Sequence, residues 1–524
     1  MPKLPIEAHP TGEALLVKKK TCLALENTKI PVSTFNGLVH VEWAPQASVT
    51  PMGQLPFFIE FLKLGGLFDA WVDDFPLEFT SNNAPSKRDI LGTLLLSILS
   101  GHKRYAHVTS IRCDTVNPKL LGMSKVVSED SLRRALLKVD EDLAVIWLQK
   151  HLNHCYALLL SEPWVLDMDV TVKVLYGKQE GAVRGYNPTK PGRPSHTYHT
   201  YTIANLRLVL DAEVQPGNQS ASSYSSPDLW ALLDRIPTAN WPKFIRADNA
   251  FGTNDIMSEA ERRELPYLFK LKMTSNVQKL IKRLERHQAW VPAVYGFEGQ
   301  ESTLKLTGWS KERRVIILRQ RVENKDDIIT EATGGTQLQL NFGDDEYNKN
   351  DRACSYKYSV LITSLSDEIP AITQHYRDRA DSENVFDELK NQWGWGGFAT
   401  QDRHRCRILA RSVGLIYNWW SLFVRIAEPD KHMEAITSRP LLLHAIGKEI
   451  SHAGQTVIQI TSIHGSTGKV QKLLNRVATF FSEFKSYAEQ LTSQQRWLRI
   501  LSKSVEKYLG GRMLFEPTYL AAPS

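Results

Sequence analysis

The chain has 524 residues, of which 42% are hydrophobic and 23% are charged, a composition typical of a globular protein with room for two to four domains. The longest apolar run, residues 90–99, is about half of a membrane span, and the first twenty residues lack the apolar stretch of a secretory signal. The five cysteines are scattered and form no C-x-x-C pair, so we expect a reducing cytoplasm and neither a disulfide framework nor a zinc ribbon.

Positive charge is concentrated locally, although the formal net charge is only +7. Lys270 and Lys272 open a run, residues 270–287, that is rich in lysine and arginine and contains a single acid. Between residues 171 and 199, basic residues alternate with tyrosines. Such mixtures suit a phosphate backbone with sugars or bases beside it. Solvated faces are the alternative for any one cluster, but several clusters in one chain favour a nucleic-acid partner.

Residues 51–160 have the apolar periodicity of helices, and Ser86 and Ser128 are placed as N-caps. The helix after Ser128 would present Arg133 and Arg134, which suits the reading helix of a helix-turn-helix motif. A plain helical bundle is the alternative for this region.

The pattern changes at residue 162 to that of a mixed α/β core. Residues 162–272 predict three strands, a helix, a strand, a helix and a strand. Residues 273–369 interrupt this core with β-rich sequence, which includes a strand expected at 336–343. A helix at 375–394 and a helical tail follow.

Two of these strands carry acids where a buried strand is expected to be apolar. Asp167 and Asp169 share one face of the first strand, and Asp248 ends a later strand, where open α/β sheets place ligand and catalytic sites. Glu383 arrives from the helix at 375–394. Buried carboxylates need a cation, a hydrogen-bond network or a metal. Carboxylate oxygens suit Mg²⁺ or Mn²⁺, and two such ions can serve an in-line displacement at phosphorus.

Tyr376, Arg379, Glu383 and Lys390 fall within roughly 60° of arc if residues 375–394 form one helix. A phenol and two cations beside a carboxylate suit a phosphate lying over the acid. The alternative is an Arg379–Glu383 pair within the helix, but that pair has the less favourable orientation and leaves Tyr376 and Lys390 unexplained.

These segments resemble the catalytic core of DDE transposases, the ribonuclease-H-like enzymes of bacterial insertion sequences. "DVT" at 169–171 resembles the first D-x-T motif of that family, and "RADNAFG" at 246–252 resembles its second-Asp motif. "YRDRADSENVFDELK" at 376–390 fits Y-x₂-R-x₃-E-x₆-K, the signature of the group that inserts a β-rich domain before the glutamate.

The resemblance implies that Asp169, Asp248 and Glu383 are catalytic and hold two Mg²⁺ ions, for which Mn²⁺ is a substitute. Asp167 stays open as an alternative to Asp169, as does Asp387 to Glu383. The resemblance also implies that Tyr376, Arg379 and Lys390 contact DNA. Trp309 resembles the tryptophan on which such enzymes stack a flipped base, with core packing as the alternative.

The expected fold is α/β, a ribonuclease-H-like mixed sheet interrupted by a β-rich insertion, with helical regions at both ends. We expect a helical DNA-binding region at 1–160, the first part of the core at 161–272 and the insertion at 273–369. The second part of the core, with the Glu383 helix, follows at 370–426, and a helical region for dimerisation or DNA contact at 427–524.

The implied function is cut-and-paste transposition of an insertion sequence, by metal-dependent hydrolysis and strand transfer at terminal inverted repeats. The same resemblance implies a hairpin intermediate, a homodimer and target DNA as second substrate. It also implies a bacterial, nucleoid-associated cytoplasmic location without a membrane. The alternatives are a catalytically inactive DNA-binding descendant of a transposase and a stand-alone metal-dependent nuclease.

Overall fold

The structure is a computed structural model that describes residues 29–514 except 45–46, 80, 82, 189, 220, 287–288, 323–354, 399 and 462–464. The strand expected at 336–343 lies outside the described residues. Within the described ranges, no helix is both long and apolar enough to cross a bilayer.

The N-terminal region is mainly helical. The expected caps are confirmed, because the side chains of Ser86 and Ser128 accept the N–H groups of Asp89 and Ser131. Its elements are β1 (Ile30–Thr34), β2 (Gly37–Val41), β3 (Val49–Thr50), α1 (Leu55–Leu64), α2 (Leu67–Asp73), α3 (Lys87–Leu99), α4 (Val108–Ile111), α5 (Asn117–Leu120), α6 (Glu129–Lys138) and α7 (Glu141–Tyr156).

The first part of the core has the expected element order, with one additional two-residue strand. Its elements are β4 (Leu166–Val174), β5 (Val183–Arg184), β6 (Pro194–Ile203), β7 (Leu208–Pro216), α8 (Ser226–Asp234), β8 (Ile245–Ala247), α9 (Asn254–Arg262) and β9 (Tyr267–Lys270). The strands lie side by side in the order β7, β6, β4, β8 and β9. The β7, β6 and β4 neighbours are antiparallel, whereas β4, β8 and β9 are parallel. The expected ribonuclease-H-like mixed α/β sheet is therefore confirmed.

The described strands of the β-rich insertion join the sheet of the core. Its elements are α10 (Ser275–Glu285), β10 (Val291–Pro292), β11 (Phe297–Leu304), β12 (Arg313–Val322) and β13 (Ser355–Thr363). Strand β13 pairs antiparallel with β9, so the insertion strands extend the core sheet, which has ten strands among the described residues.

The remaining elements are mostly helices. They are α11 (Ile369–Arg377), α12 (Ala380–Asn391), α13 (Arg403–Ala427), α14 (Ala435–Leu442), β14 (Gly447–His452), β15 (Gln455–Ile460), α15 (Thr467–Ala488) and α16 (Ser493–Ser504). The tail was expected to be helical throughout, but the hairpin of β14 and β15 interrupts it and pairs with β3 from the N-terminal region.

The centre of the molecule is α13, which is buried along most of its 25 residues and packs on β7, α7, α15 and α16. Tryptophans from distant segments meet here: the rings of Trp71 and Trp147 stack at 5.5 Å, and Trp419 meets Trp71 edge-on at 5.6 Å. The N-terminal helices thus share one hydrophobic core with the sheet. This shared core fixes the sheet that carries the acids.

Candidate active site

Asp167 is fully buried and has a partner on the next strand. Arg246 of β8 donates to it from Nε (2.6 Å) and Nη2 (2.7 Å), in the bidentate arrangement that suits a buried carboxylate. Ser382 of α12 also donates to this carboxylate. Asp167 thereby has the hydrogen-bond network that burial demands, and Asp169, whose side chain is 24% exposed, is the more accessible acid of the two.

Asp169 and Asp248 lie at the same level of the sheet. Strands β4 and β8 run parallel, with Asp167 opposite Arg246 and Met168 opposite Ala247. One residue pair further, Asp169 follows Met168 and Asp248 follows Ala247. Neighbouring strands are about 4.8 Å apart and side chains two residues apart share a face, so both carboxylates lie on the face that carries the Asp167–Arg246 pair. Asp248 also closes a turn by accepting the Ala250 N–H at 2.9 Å.

Glu383 reaches this face from α12 and contacts Arg379. The Arg379 guanidinium donates to Glu383 through Nη1 and lies 3.4 Å from Asp169 through Nη2. The Arg379 side chain is only 6% exposed, compared with 24% for Asp169 and 60% for Glu383. A single buried cation therefore bridges two of the three predicted acids. The Arg379–Glu383 pair, the alternative weighed from the sequence, is present.

The prediction of one helix over 375–394 is wrong. Helix α11 ends at Arg377 and α12 begins at Ala380, with Arg379 between them as N-cap. The His375 carbonyl would accept the Arg379 N–H in a continuous helix, but it accepts Nη1 of Arg246 instead. The Arg379 N–H turns to the Tyr376 carbonyl at 3.2 Å. Arg379 and Glu383 still contact each other at the i, i+4 spacing, although the helical hydrogen-bond ladder is interrupted between Arg377 and Ala380.

The charges at this site act on one another. Burial raises the pKa of Asp169 to about 6. The Arg379 cation opposes this shift, whereas the charges of Asp248 and Glu383 add to it. Burial alone would lower the pKa of Arg379, but the charges of Asp169, Tyr376 and Glu383 raise it above its ordinary value. The three acids thus form one electrostatic unit around Arg379.

Lys270 and Tyr376 lie at the edge of this unit. Strand β9 pairs with β8 so that Phe269 lies opposite Ala247, which places Lys270 beside Asp248. Burial and the nearby Arg379 cation lower the pKa of Lys270, while Glu383 and Asp248 oppose that shift. The Tyr376 ring packs on the apolar cluster around Ile372, and burial raises the pKa of its phenol.

The donor set suits a hard divalent cation, since carboxylate oxygens are the ligands that Mg²⁺ and Mn²⁺ prefer. Burial is the main cause of the raised pKa of Asp169, and a bound cation would favour the ionised form of this carboxyl. Within the part of the chain that the structure describes, however, no three side chains of His, Cys, Asp or Glu stand close enough together to hold one ion. Glu383 faces Arg379 instead. Convergence of all three acids on shared ions stays a prediction.

Lys390, Lys272 and Asp387 are exposed. Lys390 lies on α12 two turns beyond Glu383, about 10 Å along the helix axis. Asp387, the alternative to Glu383, accepts a hydrogen bond from Asn391 at 2.6 Å on the same helix. These positions leave Glu383 as the acid of α12 next to the two strand acids.

Arg133 and Arg134 lie on α6. Arg133 is partly buried, with its guanidinium 5.9 Å from the Tyr105 ring, whereas Arg134 is exposed. Trp309 is partly buried against the hydrophobic core, and Arg313 covers its ring at 5.4 Å. For Trp309 this environment is that of the packing alternative.

Arg246 and Ser382 contact the candidate site through Asp167, and the sequence analysis did not single them out. Arg246 lies two residues before Asp248, and the alternation of the strand would have placed both on one face. Ser382 lies directly before Glu383 and gave no signal of its own. Together they hold Asp167 and flank the break that contains Arg379.

Comparisons with known sequences, solved structures and protein families bear on the identity of the chain. No curated protein sequence matches the chain. Among solved structures, the chain is similar to one described as the cryo-EM structure of the piggyBac transposase synaptic complex with hairpin DNA, at 10% identity and a TM-score of 0.35, over 91% of this chain and 89% of that one. The family model described as "Transposase DDE domain group 1" matches residues 80–480, which include all three predicted acids. The chain therefore belongs to the DDE transposase family.

Proposed function

We propose that this transposase cuts and rejoins DNA at Asp169, Asp248 and Glu383. The observation that carries the proposal is the register of β4 and β8, which sets Asp169 and Asp248 side by side at one level of the sheet, with Glu383 facing them through Arg379. Family membership over residues 80–480 supports the same assignment.

Asp169 and Asp248 would hold divalent cations, Mg²⁺ or Mn²⁺, and Glu383 would join them once it leaves Arg379. When bound, two such ions lower the pKa of an attacking water and stabilise the leaving oxygen in an in-line displacement. The protein supplies three carboxylates of staggered exposure, so that the outermost, Glu383 at 60%, is free to change partner.

Arg379, Lys270, Tyr376 and Lys390 would position the scissile phosphate. Released from Glu383, the Arg379 guanidinium can clamp a phosphate in two places, whereas each lysine acts as a point charge. Because Lys270 lies beside Asp248, it would stand next to the phosphate that is cut. Lys272, Arg133 and Arg134 would contact DNA further away, and Trp309 would contribute to packing.

The reaction would be cut-and-paste transposition at terminal inverted repeats. Water cleaves one strand and leaves a 3′-hydroxyl, which attacks the opposite strand to give a hairpin. A second water opens the hairpin, and the 3′-hydroxyl then attacks a phosphodiester of target DNA, so that a new phosphodiester forms and the 3′-oxygen of the target strand leaves. We propose a homodimer, two ends per assembly, and a bacterial insertion sequence as substrate, as the Y-R-E-K spacing implies.

The test is a Mg²⁺-dependent cleavage assay on DNA that contains the sequences flanking the gene. Asp169→Asn, Asp248→Asn and Glu383→Gln should abolish cleavage while binding of the same DNA persists. The matched control is Asp387→Asn, one turn further along α12, which should cleave as the wild type does. Loss of binding in all three acid variants would indicate structural roles instead.

The same assay separates the other functions. Binding by the wild type without any cleavage would identify an inactive DNA-binding descendant. Cleavage without joining to a target plasmid would identify a nuclease.

A further inference from the structure

Residues 175–193, the β4–β6 loop, link β4 to β6 and carry unpaired positive charge beside exposed aromatic rings. Tyr176 is 68% exposed and Tyr186 77%. The only acid of the loop, Glu180, accepts the backbone N–H of Arg403 at 3.0 Å. Four exposed cations of the loop form no ion pair with any carboxylate of the described residues: Lys178, Arg184, Lys190 and Arg193.

Tyr176 gathers two of these cations at one place. The Lys190 ammonium donates to the Tyr176 hydroxyl at 2.7 Å and lies 5.1 Å from the ring centroid. The Arg193 guanidinium lies 5.8 Å from the same centroid. Two like charges held on one ring repel each other, so the arrangement favours an anion between them.

The loop is braced from inside. The Asn187 side chain is 4% exposed, accepts the Lys190 N–H at 3.0 Å and donates to the Arg193 carbonyl at 3.4 Å. Gly185 packs so closely on Gly217 that a Cβ atom would lie 1.8 Å from the Gly217 carbonyl oxygen. A braced loop loses little entropy when a ligand binds, which is the property of a preformed binding surface.

The loop also stands at a defined distance from the acids. Val174 ends β4 five residues after Asp169, which corresponds to about 16 Å along the strand. A DNA duplex rises about 3.4 Å per base pair, so for a duplex that runs along β4 the loop begins about five base pairs from a phosphate at Asp169.

We infer that the β4–β6 loop is a DNA-backbone clamp, in which Tyr176 holds Lys190 and Arg193 against phosphates about five base pairs from the cut. Tyr186, whose ring is exposed on the same loop, contacts a sugar or base of that DNA. The clamp rests on the proposed function for its register relative to the cut, but its binding of DNA is measured independently of cleavage.

The experiment measures the salt dependence of binding to a duplex of arbitrary sequence, of about 30 base pairs. The Lys190→Gln/Arg193→Gln variant loses two phosphate contacts, so its log–log salt slope falls by about 1.8. Between about 50 and about 200 mM salt, the wild type should lose about tenfold more affinity than this variant. Tyr176→Ala should reproduce most of that change, whereas Tyr176→Phe, which keeps the ring, should show much less of it.

The matched control is Lys243→Gln/Arg262→Gln. Both side chains are exposed. Lys243 precedes β8 and Arg262 precedes β9, so both lie near the start of a parallel strand, whereas Asp248 follows the end of β8. The control removes one lysine and one arginine, of which Arg262 is paired with Glu259, and should keep the wild-type slope. An unchanged slope in the loop variant, or an equal fall in the control, overturns the clamp. Thermal melting of each variant verifies that the substituted proteins are folded.

Phosphate-ethylation interference on DNA that the wild type cuts then tests the register. Interference about five base pairs from the cut should disappear in the loop variant. If the wild type binds DNA with a steeper slope than the loop variant but never cuts, the proposed function is contradicted and the clamp is supported. A wild type that cuts DNA, with a slope that the loop substitutions do not change, contradicts the clamp alone.

Discussion

Arg246 holds the carboxylate of Asp167 with two nitrogens, and its third nitrogen donates to the His375 carbonyl. One guanidinium thus ties β4 to the end of α11. Because the His375 carbonyl accepts from Arg246, it does not accept the Arg379 N–H, and the helix is interrupted at Arg379. Asp167 was the alternative to Asp169 as a metal ligand. It is instead paired with Arg246, and this pair positions Arg379, which faces Asp169.

Asp167→Asn should destabilise the protein strongly, because it leaves the Arg246 guanidinium buried without its counter-charge. Breaking a buried ion pair from one side costs about 3–5 kcal/mol. Urea denaturation followed by tryptophan fluorescence measures the loss in the free energy of unfolding. Asp387→Asn, at an exposed position, is the control and should be close to neutral. A small effect of Asp167→Asn would show that Arg246 is accessible to water.

Asp169→Asn should stabilise the metal-free protein at neutral pH. The pKa of Asp169 is raised from its ordinary value to about 6 in the folded state, so the folded chain binds the proton more tightly than the unfolded chain. The contribution of this carboxyl to stability therefore falls as pH rises from about 4 to about 6. The difference in melting temperature between variant and wild type, measured in EDTA, should grow over this range and then level off. A pH-independent difference would contradict the raised pKa.

Mg²⁺ should stabilise the wild type, and more strongly as pH rises through about 6, because Asp169 must lose its proton to bind the ion. Free Mg²⁺ at about 100 times its dissociation constant adds about 2.7 kcal/mol to the free energy of unfolding. Thermal melting at increasing Mg²⁺ measures this effect. Asp169→Asn and Asp248→Asn should each remove most of it, whereas an equal shift with Ca²⁺, Mg²⁺ and Na⁺ at matched ionic strength would argue for screening alone.

Arg379→Gln should lower the melting temperature at pH 7.5 more than at pH 5. Without the guanidinium, Asp169 and Glu383 repel each other at neutral pH, while protonation of Asp169 relieves the repulsion in acid. Adding Asp169→Asn to Arg379→Gln should recover part of the loss, which a double-mutant cycle measures. Additive effects of the two substitutions would contradict their direct interaction.

The strand pattern and the acids were predictable from the sequence. A strand alternates its faces every two residues, so "VLDMDVT" and "FIRADNAFG" place their acids on definite faces before any contact is known. The order of strands and helices predicted a mixed α/β core, and the resemblance to DDE transposases implied its ribonuclease-H-like arrangement, which is the one observed.

The sequence by itself therefore determined the fold class and the strand faces on which Asp167, Asp169 and Asp248 lie, because periodicity and local hydrogen bonding are properties of neighbouring residues. Only the tertiary structure decided that Asp167 is paired, since Arg246 is 79 positions away in the chain. It also decided where the helix at 375–394 breaks: "YRDRADSEN" has no glycine or proline to announce a break, and the cause is a hydrogen bond from Arg246, 129 positions from His375. Such contacts depend on which strands become neighbours, and no local pattern encodes that.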